Sequence, residues 1–396
     1  MLGLVFFTVY LFDVVTRLQF IVSIVLIIFI YLQRRKIWIN KKSLLIYFIL
    51  NIYSLIILTK NGYGYEKMIQ QSVVCGIMIL SYFNLFKYYS IEKLWKGYMK
   101  MGIIFSYLGI LQGIIYYIFK INIFIKPYNI WGISNNYSLS ANLLQVSSMA
   151  GEPGMFAQVL LPAVIFTLEK IFYQKKMKLD DIVILVAYLW TFTAIAYFSL
   201  GVYVVLKLII LFYRKKIYKI YKILIVGTVS LILLLNKLGT ETLKRKIFET
   251  FKAILNFSEI NYYRLNLSSF ALISNLSAAI NSDKLFLGNG WGSIEEVYYR
   301  YFQIKDHLFY GQNSTDGYSL LIRIFSEFGL LGVIFILYLF IKNFNLGKKN
   351  WKLNTINLSV AIGIISYFIR GGSYFMQGII IFFYFLILTS KLKNKW

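Results

Sequence analysis

Four side chains stand where chemistry at a membrane surface would need them. Glu152 opens "EPGMFAQVL" and is the single charge between Tyr128 and Leu168. A carboxylate at the head of a helix can take a proton from a substrate hydroxyl. It can also be a helix-start residue, because Pro is favoured at the first helical position and an acid there complements the dipole. Pro162, further along the same run, is expected to kink the helix and open space beside it.

The other three are arginines. Arg323 sits within "GYSLLIRIFSEFGLLGVIF" close to a membrane boundary, with Glu327 at i+4. Arg370 stands in "YFIRGGSYF", where the last two hydrophobic runs meet, and Arg264 opens the stretch "RLNLSSFALISNLSAAI". Charged groups at membrane depth are costly and by default point to function. The plainer readings are an i,i+4 pair with Glu327 for Arg323, a helix-end anchor for Arg370 and a solvated polar-face residue for Arg264. Together they would make a cationic site beside the lipid, since guanidinium groups grip phosphate oxygens with two parallel hydrogen bonds.

The elements that must position these residues are hydrophobic helices. The chain has 396 residues, is 59% hydrophobic and 15% charged, and has a mean hydropathy of +0.67. Soluble domains are about half apolar and about a quarter charged. The expected spans are 18–33, 43–59, 69–86, 98–119, 153–172, 181–197, 198–213, 219–236, 318–341, 354–369 and 372–390. This is an all-α integral membrane protein of about eleven helices, a single polytopic domain over residues 1–396. Residues 1–17 either extend the first helix or are the remnant of one that begins upstream; no small-residue cleavage site follows them. The pair 181–213 has almost no loop at "YFSLG" and is expected to be a tight hairpin or a broken helix.

The formal charge of +26 would suggest nucleic acid in a soluble protein. Here alternate loops, from "QRRKIWINKK" to "KLKNKW", hold most of the Lys and Arg, whereas "TKNGYGYEK" and its neighbours hold few. That asymmetry places the basic loops in the cytoplasm and needs no nucleic-acid partner. Residues 237–317 then form a large extracytoplasmic loop inserted between helices, on the same side as Glu152. Within it, 240–257 is expected to be a surface helix with Leu243, Ile247, Phe251 and Ile254 on one face. A second helix is expected to align Phe270, Ile273, Leu276 and Ile280. The glycines of "LFLGNGWGS", Gly288, Gly290 and Gly292, mark a tight turn.

The single cysteine, Cys75, excludes an intramolecular disulfide, and the single histidine, His307, excludes a His-pair metal motif. The chemistry expected is free of metal and cofactor. No internal repeat is visible, which weakens an inverted-repeat transporter. A metal-dependent lipid-sugar transferase would place paired acids in the first outer loop, which holds Glu66 alone.

The order of these motifs resembles the bacterial O-antigen polymerase (Wzy-type) and O-antigen ligase superfamily. Its members show an E-P-S/G-like start to a central helix, here Glu152-Pro153-Gly154. A large loop with an Arg follows, here Arg264, and then a glycine-rich turn, here "LFLGNGWGS". The closing L-x-E-x-G-L-x-G pattern is matched from Phe325 to Gly332, with Phe325 in place of the first Leu. The motifs cover residues 150–335.

The resemblance implies a C-type glycosyltransferase-like membrane fold in a bacterial cytoplasmic (inner) membrane, with its active site facing the periplasm or exterior. The substrate would be an undecaprenyl-pyrophosphate-linked oligosaccharide met within membrane lipid, with a chain-length regulator as a further partner. In a polymerase a hydroxyl of the incoming repeat unit attacks the anomeric carbon of the growing chain and the pyrophosphate lipid leaves. On that scheme Arg264, Arg323 and Arg370 neutralise the leaving group. Glu152 and Arg264 are the catalytic candidates, and Asn313, Asp316 and Tyr318 of "YGQNSTDGY" are expected substrate contacts. Glu152 stays either the group that handles the acceptor or a structural residue. Ligases of the superfamily carry a His where this chain has Tyr318, which favours an O-antigen or capsule polymerase. A ligase, and behind it a flippase, are the alternatives.

Overall fold

The computed structural model describes residues 2–11, 14–121, 123, 139–140, 143–213, 260–344 and 350–391. The expected span 219–236 and the surface helix 240–257 lie outside the described residues. The described helices are α1 (Leu2–Tyr10), α2 (Val14–Arg34), α3 (Lys41–Asn61), α4 (Glu66–Tyr88), α5 (Ile91–Phe119), α6 (Pro153–Gln174), α7 (Leu179–Trp190) and α8 (Ala194–Tyr213). After them come α9 (Leu267–Asn281), α10 (Ile294–Tyr301), α11 (Leu320–Asn343), α12 (Trp351–Ile369) and α13 (Ile379–Lys391). A two-residue antiparallel pairing of Leu139–Ser140 with Leu143–Leu144 is the one departure from helix, turn and loop among the described residues.

Among these residues, seven helices are long and apolar enough to cross a membrane: α3, α4, α5, α6, α8, α11 and α12. The chain is a multi-pass membrane protein. Its centre is α6 packed along α12, with α13, α8 and α7 around them and α1 wedged onto α5. Residues 1–17 do not simply extend the first span. Leu2–Tyr10 is a separate short helix whose Val5, Phe6, Val9 and Tyr10 are fully buried. Nor does Pro162 open a gap. It lies inside a continuous α6, and Gly363 of α12 receives its ring; a Cβ there would sit 2.8 Å from the ring. The break between α7 and α8 falls at Thr191–Thr193, ahead of "YFSLG", where Phe192 takes a left-handed φ of 46°.

Two ion pairs fasten α6 to its neighbours toward its C-terminal end. Glu169 meets Lys207 at 2.5 Å and accepts from the Tyr203 hydroxyl at 2.7 Å, and Lys170 meets Asp181 at 2.7 Å. Toward the opposite end, residues 260–319 build a smaller apolar core on the ends of α3 and α4, with Leu58 and Met68 packed among Phe270, Trp291, Val297 and Phe302. Arg300 donates to the Asn61 carbonyl at 3.0 Å and lies over the Tyr63 ring, and Glu296 accepts from the Gly64 N–H at 3.1 Å. The loop is therefore fixed to the bundle by its own side chains.

Two further stretches among the described residues leave the helical pattern. In α11, Gly329 has φ 62° and ψ −162°, a conformation essentially confined to glycine. The strap Leu285–Gly290 fills the break. The N–H of Leu330 donates to the Leu285 carbonyl at 2.8 Å, and that of Leu331 to Phe286 at 3.3 Å. In return Asn289 and Gly290 donate to the carbonyls of Ser326 and Glu327 at 2.9 and 2.8 Å. "LFLGNGWGS" and "SEFGLLG" are thus two halves of one interlock. A Cβ on Gly329 would run into the Phe286 carbonyl, and one on Gly288 would lie 2.5 Å from the Glu327 carbonyl carbon.

The second stretch is 370–378, expected to be helical within the span 372–390 but irregular up to Gly378. Buried irregular backbone must find partners inside the protein. Here side chains supply them. Gln158 donates to the Arg370 carbonyl at 2.6 Å, Arg323 to Gly372 at 3.3 Å and Tyr367 to Gln377 at 2.6 Å.

Candidate functional site

The irregular segment 370–374 joins two charged centres. The first lies at the start of α6. Glu152 is its N-cap, makes no capping hydrogen bond with its side chain, and faces Arg370 across 3.6 Å. Both side chains keep more than a third of their surface, 42% for Glu152 and 34% for Arg370. The guanidinium rests on Gly154, where a Cβ would be 3.1 Å from it. An exposed pair of this length is worth at most about 1 kcal/mol, so Arg370 can exchange its partner for another anion at little cost.

The second centre is closed. Arg323 is 2% exposed and every arm of its guanidinium is used: Nε to Glu327 at 3.2 Å, one terminal nitrogen to the Gly372 carbonyl and the other to Gln71 of α4 at 2.8 Å. Glu327, fully buried, accepts from the Tyr374 hydroxyl at 2.7 Å on its other oxygen, and Arg323 lies over the Tyr374 ring. Arg323 is neutralised by Glu327 and holds the 370–378 segment in place.

Between the centres runs Arg370–Gly371–Gly372. The Gly371 N–H donates to the Tyr318 carbonyl at 2.7 Å, and Gly372 packs so tightly on the Asp316 carbonyl that no side chain fits there. Asp316 accepts from the Tyr318 N–H at 2.9 Å. Burial pushes the Asp316 carboxyl above its ordinary value, against the pull of that hydrogen bond, of Arg323 and of the Asn313 side chain. Tyr318 and Asn313 both take left-handed φ values, 62° and 56°, so the turn 313–318 is wound tightly over the head of α11.

The structure therefore gathers six of the seven expected residues. Glu152 and Arg370 pair; Asp316, Asn313 and Tyr318 share a turn; Arg323 meets that turn through Asp316 and Gly372. Arg264 stands apart. It closes a 3-10 turn, Tyr262–Arg264, ahead of α9 rather than opening it, and is exposed with no contact to either charged centre among the described residues. The helix cap there is Asn266, which accepts from Ser268 and Ser269. In α9, Phe270 and Ile273 are buried while Leu276 and Ile280 are only half-covered. His307 belongs to the loop core, stacked 3.9 Å from Phe270 with Nδ1 accepting from the Phe309 N–H.

Sequence reasoning missed Gln71 and Tyr374. Gln71 gave a faint signal as an amide inside an apolar run, and Tyr374 gave none. Among the described residues no three His, Cys, Asp or Glu side chains gather as a metal ion would require. No protein-family model, curated protein or solved structure matches the chain.

Proposed function

We propose that this protein joins oligosaccharide repeat units carried on a polyprenyl pyrophosphate, by glycosyl transfer at the end of the bundle opposite its basic loops. The observation that carries the reading is the open Glu152–Arg370 pair set beside the closed Arg323–Glu327–Tyr374 centre, with 370–372 as the bridge. Arg370 offers a guanidinium to a pyrophosphate arriving from the lipid side. Two carboxylates, Glu152 and Asp316, flank the 370–372 bridge, and one of them receives the proton of the attacking hydroxyl. The anomeric carbon to pyrophosphate bond breaks as the new glycosidic bond forms, and charge develops on the leaving pyrophosphate, where a fixed cation lowers the barrier.

Further elements of the proposal are a bacterial cytoplasmic membrane, about eleven spans with residues 219–236 among them, an outward-facing site and a chain-length regulator as partner. Undecaprenyl pyrophosphate is the carrier in this reading, and O-antigen or capsular polysaccharide the product. Arg264, exposed on the loop, is free to meet the glycan or the phosphate of a bound substrate but is not part of the assembled centre.

Deletion of the gene, followed by gel and mass analysis of surface and lipid-linked glycans, tests the reading. Single repeat units exported but never lengthened support it. Long chains stranded on the carrier would make the protein a ligase, and units trapped inside the cell would make it a flippase.

A further inference from the structure

Among the described acids at this end of the bundle, Glu66 and Asp283 are exposed at the head of α4 and just after α9, and the others have partners. Glu327 is fully buried with one oxygen on Arg323 and the other on Tyr374. Glu295 pairs with Lys67, Glu296 is held by the Gly64 N–H, and Asp306 accepts from the Tyr263 hydroxyl. Glu152 faces Arg370 across 3.6 Å as the counter-ion of that guanidinium. Asp316 differs from all of these. It is half-buried, has one oxygen fixed by the Tyr318 N–H, and sits where the turn 313–318 touches Gly372, between Arg323 and the bridge that leads to Arg370.

We propose that Asp316 is the group that takes the proton from the acceptor hydroxyl, and that Glu152 serves as the displaceable counter-ion of Arg370. This assignment rests on the reading of the protein as a glycosyl transferase. In the step, the Asp316 carboxylate removes the hydroxyl proton as the oxygen attacks the anomeric carbon. The bond from that carbon to the pyrophosphate breaks, and its electron pair leaves with the phosphate. Atoms and charge balance without a further reactant. Burial, which raises the Asp316 carboxyl, makes its anion a better proton acceptor than a solvated carboxylate would be. The charged group that acts on it is Arg323 from α11, and Asn313 and Tyr318 of its own turn hydrogen-bond it.

The turn also provides a test, because Asp316→Asn keeps an oxygen for the Tyr318 N–H while it removes the carboxylate. The full chain is reconstituted in vesicles with the lipid-linked repeat unit that the deletion strain accumulates, and turnover and unit affinity are followed from pH 5 to pH 9. Asp316→Asn is expected to lose at least a hundredfold in turnover with unit affinity and thermal stability kept. Wild-type turnover is expected to fall toward low pH as Asp316 protonates, with Asp316→Glu recovering part of the rate on a displaced acid limb. A loss below fivefold in Asp316→Asn with the acid limb unmoved overturns the assignment and leaves the transferase reading standing. Turnover and affinity falling together overturn it too, in favour of a binding role. A wild-type protein that lengthens nothing overturns the transferase reading and Asp316 with it.

Discussion

Arg323 and Glu327 lie one helical turn apart on α11 with Nε and Oε1 at 3.2 Å and almost no solvent contact. Their charges cancel inside the protein, and the cation spends its remaining donors on Gly372 and Gln71. The pair is the clamp that holds Gly372 and Tyr374 of the 370–378 segment onto α11.

Breaking that pair from one side leaves an uncompensated buried charge, a cost on the order of 3–5 kcal/mol. Glu327→Gln and Arg323→Met are each expected to lower the unfolding temperature in detergent by several degrees. The double change Arg323→Met with Glu327→Gln should cost less than the two single losses summed. A double-mutant cycle on thermal unfolding measures this, and additivity would contradict the clamp.

The strap across the α11 break depends on two glycines. Gly329→Ala meets a backbone conformation worth about 1–3 kcal/mol of strain and a clash with the Phe286 carbonyl. Gly288→Ala meets the Glu327 backbone. Both are expected to loosen the loop, read as faster proteolysis between residues 282 and 292, whereas Gly201→Ala, with open space around it, should change nothing.

Arg370 and Glu152 should separate in kinetics. Removing the guanidinium in Arg370→Ala is expected to raise KM for the lipid-linked unit at least tenfold, about 1.4 kcal/mol of lost binding. Glu152→Gln removes a competitor for the same guanidinium and is expected to lower KM. A rise in KM for Glu152→Gln would make that carboxylate a substrate contact instead.

The Glu169–Lys207 pair in the membrane is expected to be a fastening without a catalytic part. Lys207→Met leaves Glu169 and the Tyr203 hydroxyl without their cation and should cost on the order of 3 kcal/mol in stability. Thermal unfolding of the single variant against Glu169→Gln with Lys207→Met shows whether the lost stability returns.

Much of this architecture was readable because hydrophobic runs and the spacing of Arg323 and Glu327 are local properties of the chain. Glu152 at a helix start, the pair at i,i+4 and the glycines of "LFLGNGWGS" all fall where the sequence suggests. What could not be read is how distant segments satisfy one another. Nothing local says that Gln158, Arg323 and Tyr367 will each take a carbonyl of 370–378, so the segment looks like the start of a helix. Likewise each glycine motif is interpretable as a turn, but that Gly288 and Gly329 face each other is a tertiary fact. The start of α9 was misread at Arg264 for the opposite reason: its local pattern resembles a helix start, and Asn266, a better cap, won the position.

The most direct test of the central claim is reconstitution of the purified chain in vesicles containing a single defined lipid-linked repeat unit, with products resolved by mass. A ladder of multiples of that unit, with free polyprenyl pyrophosphate released in step, is the predicted result. A unit that stays single, or that crosses the bilayer unchanged, would contradict it.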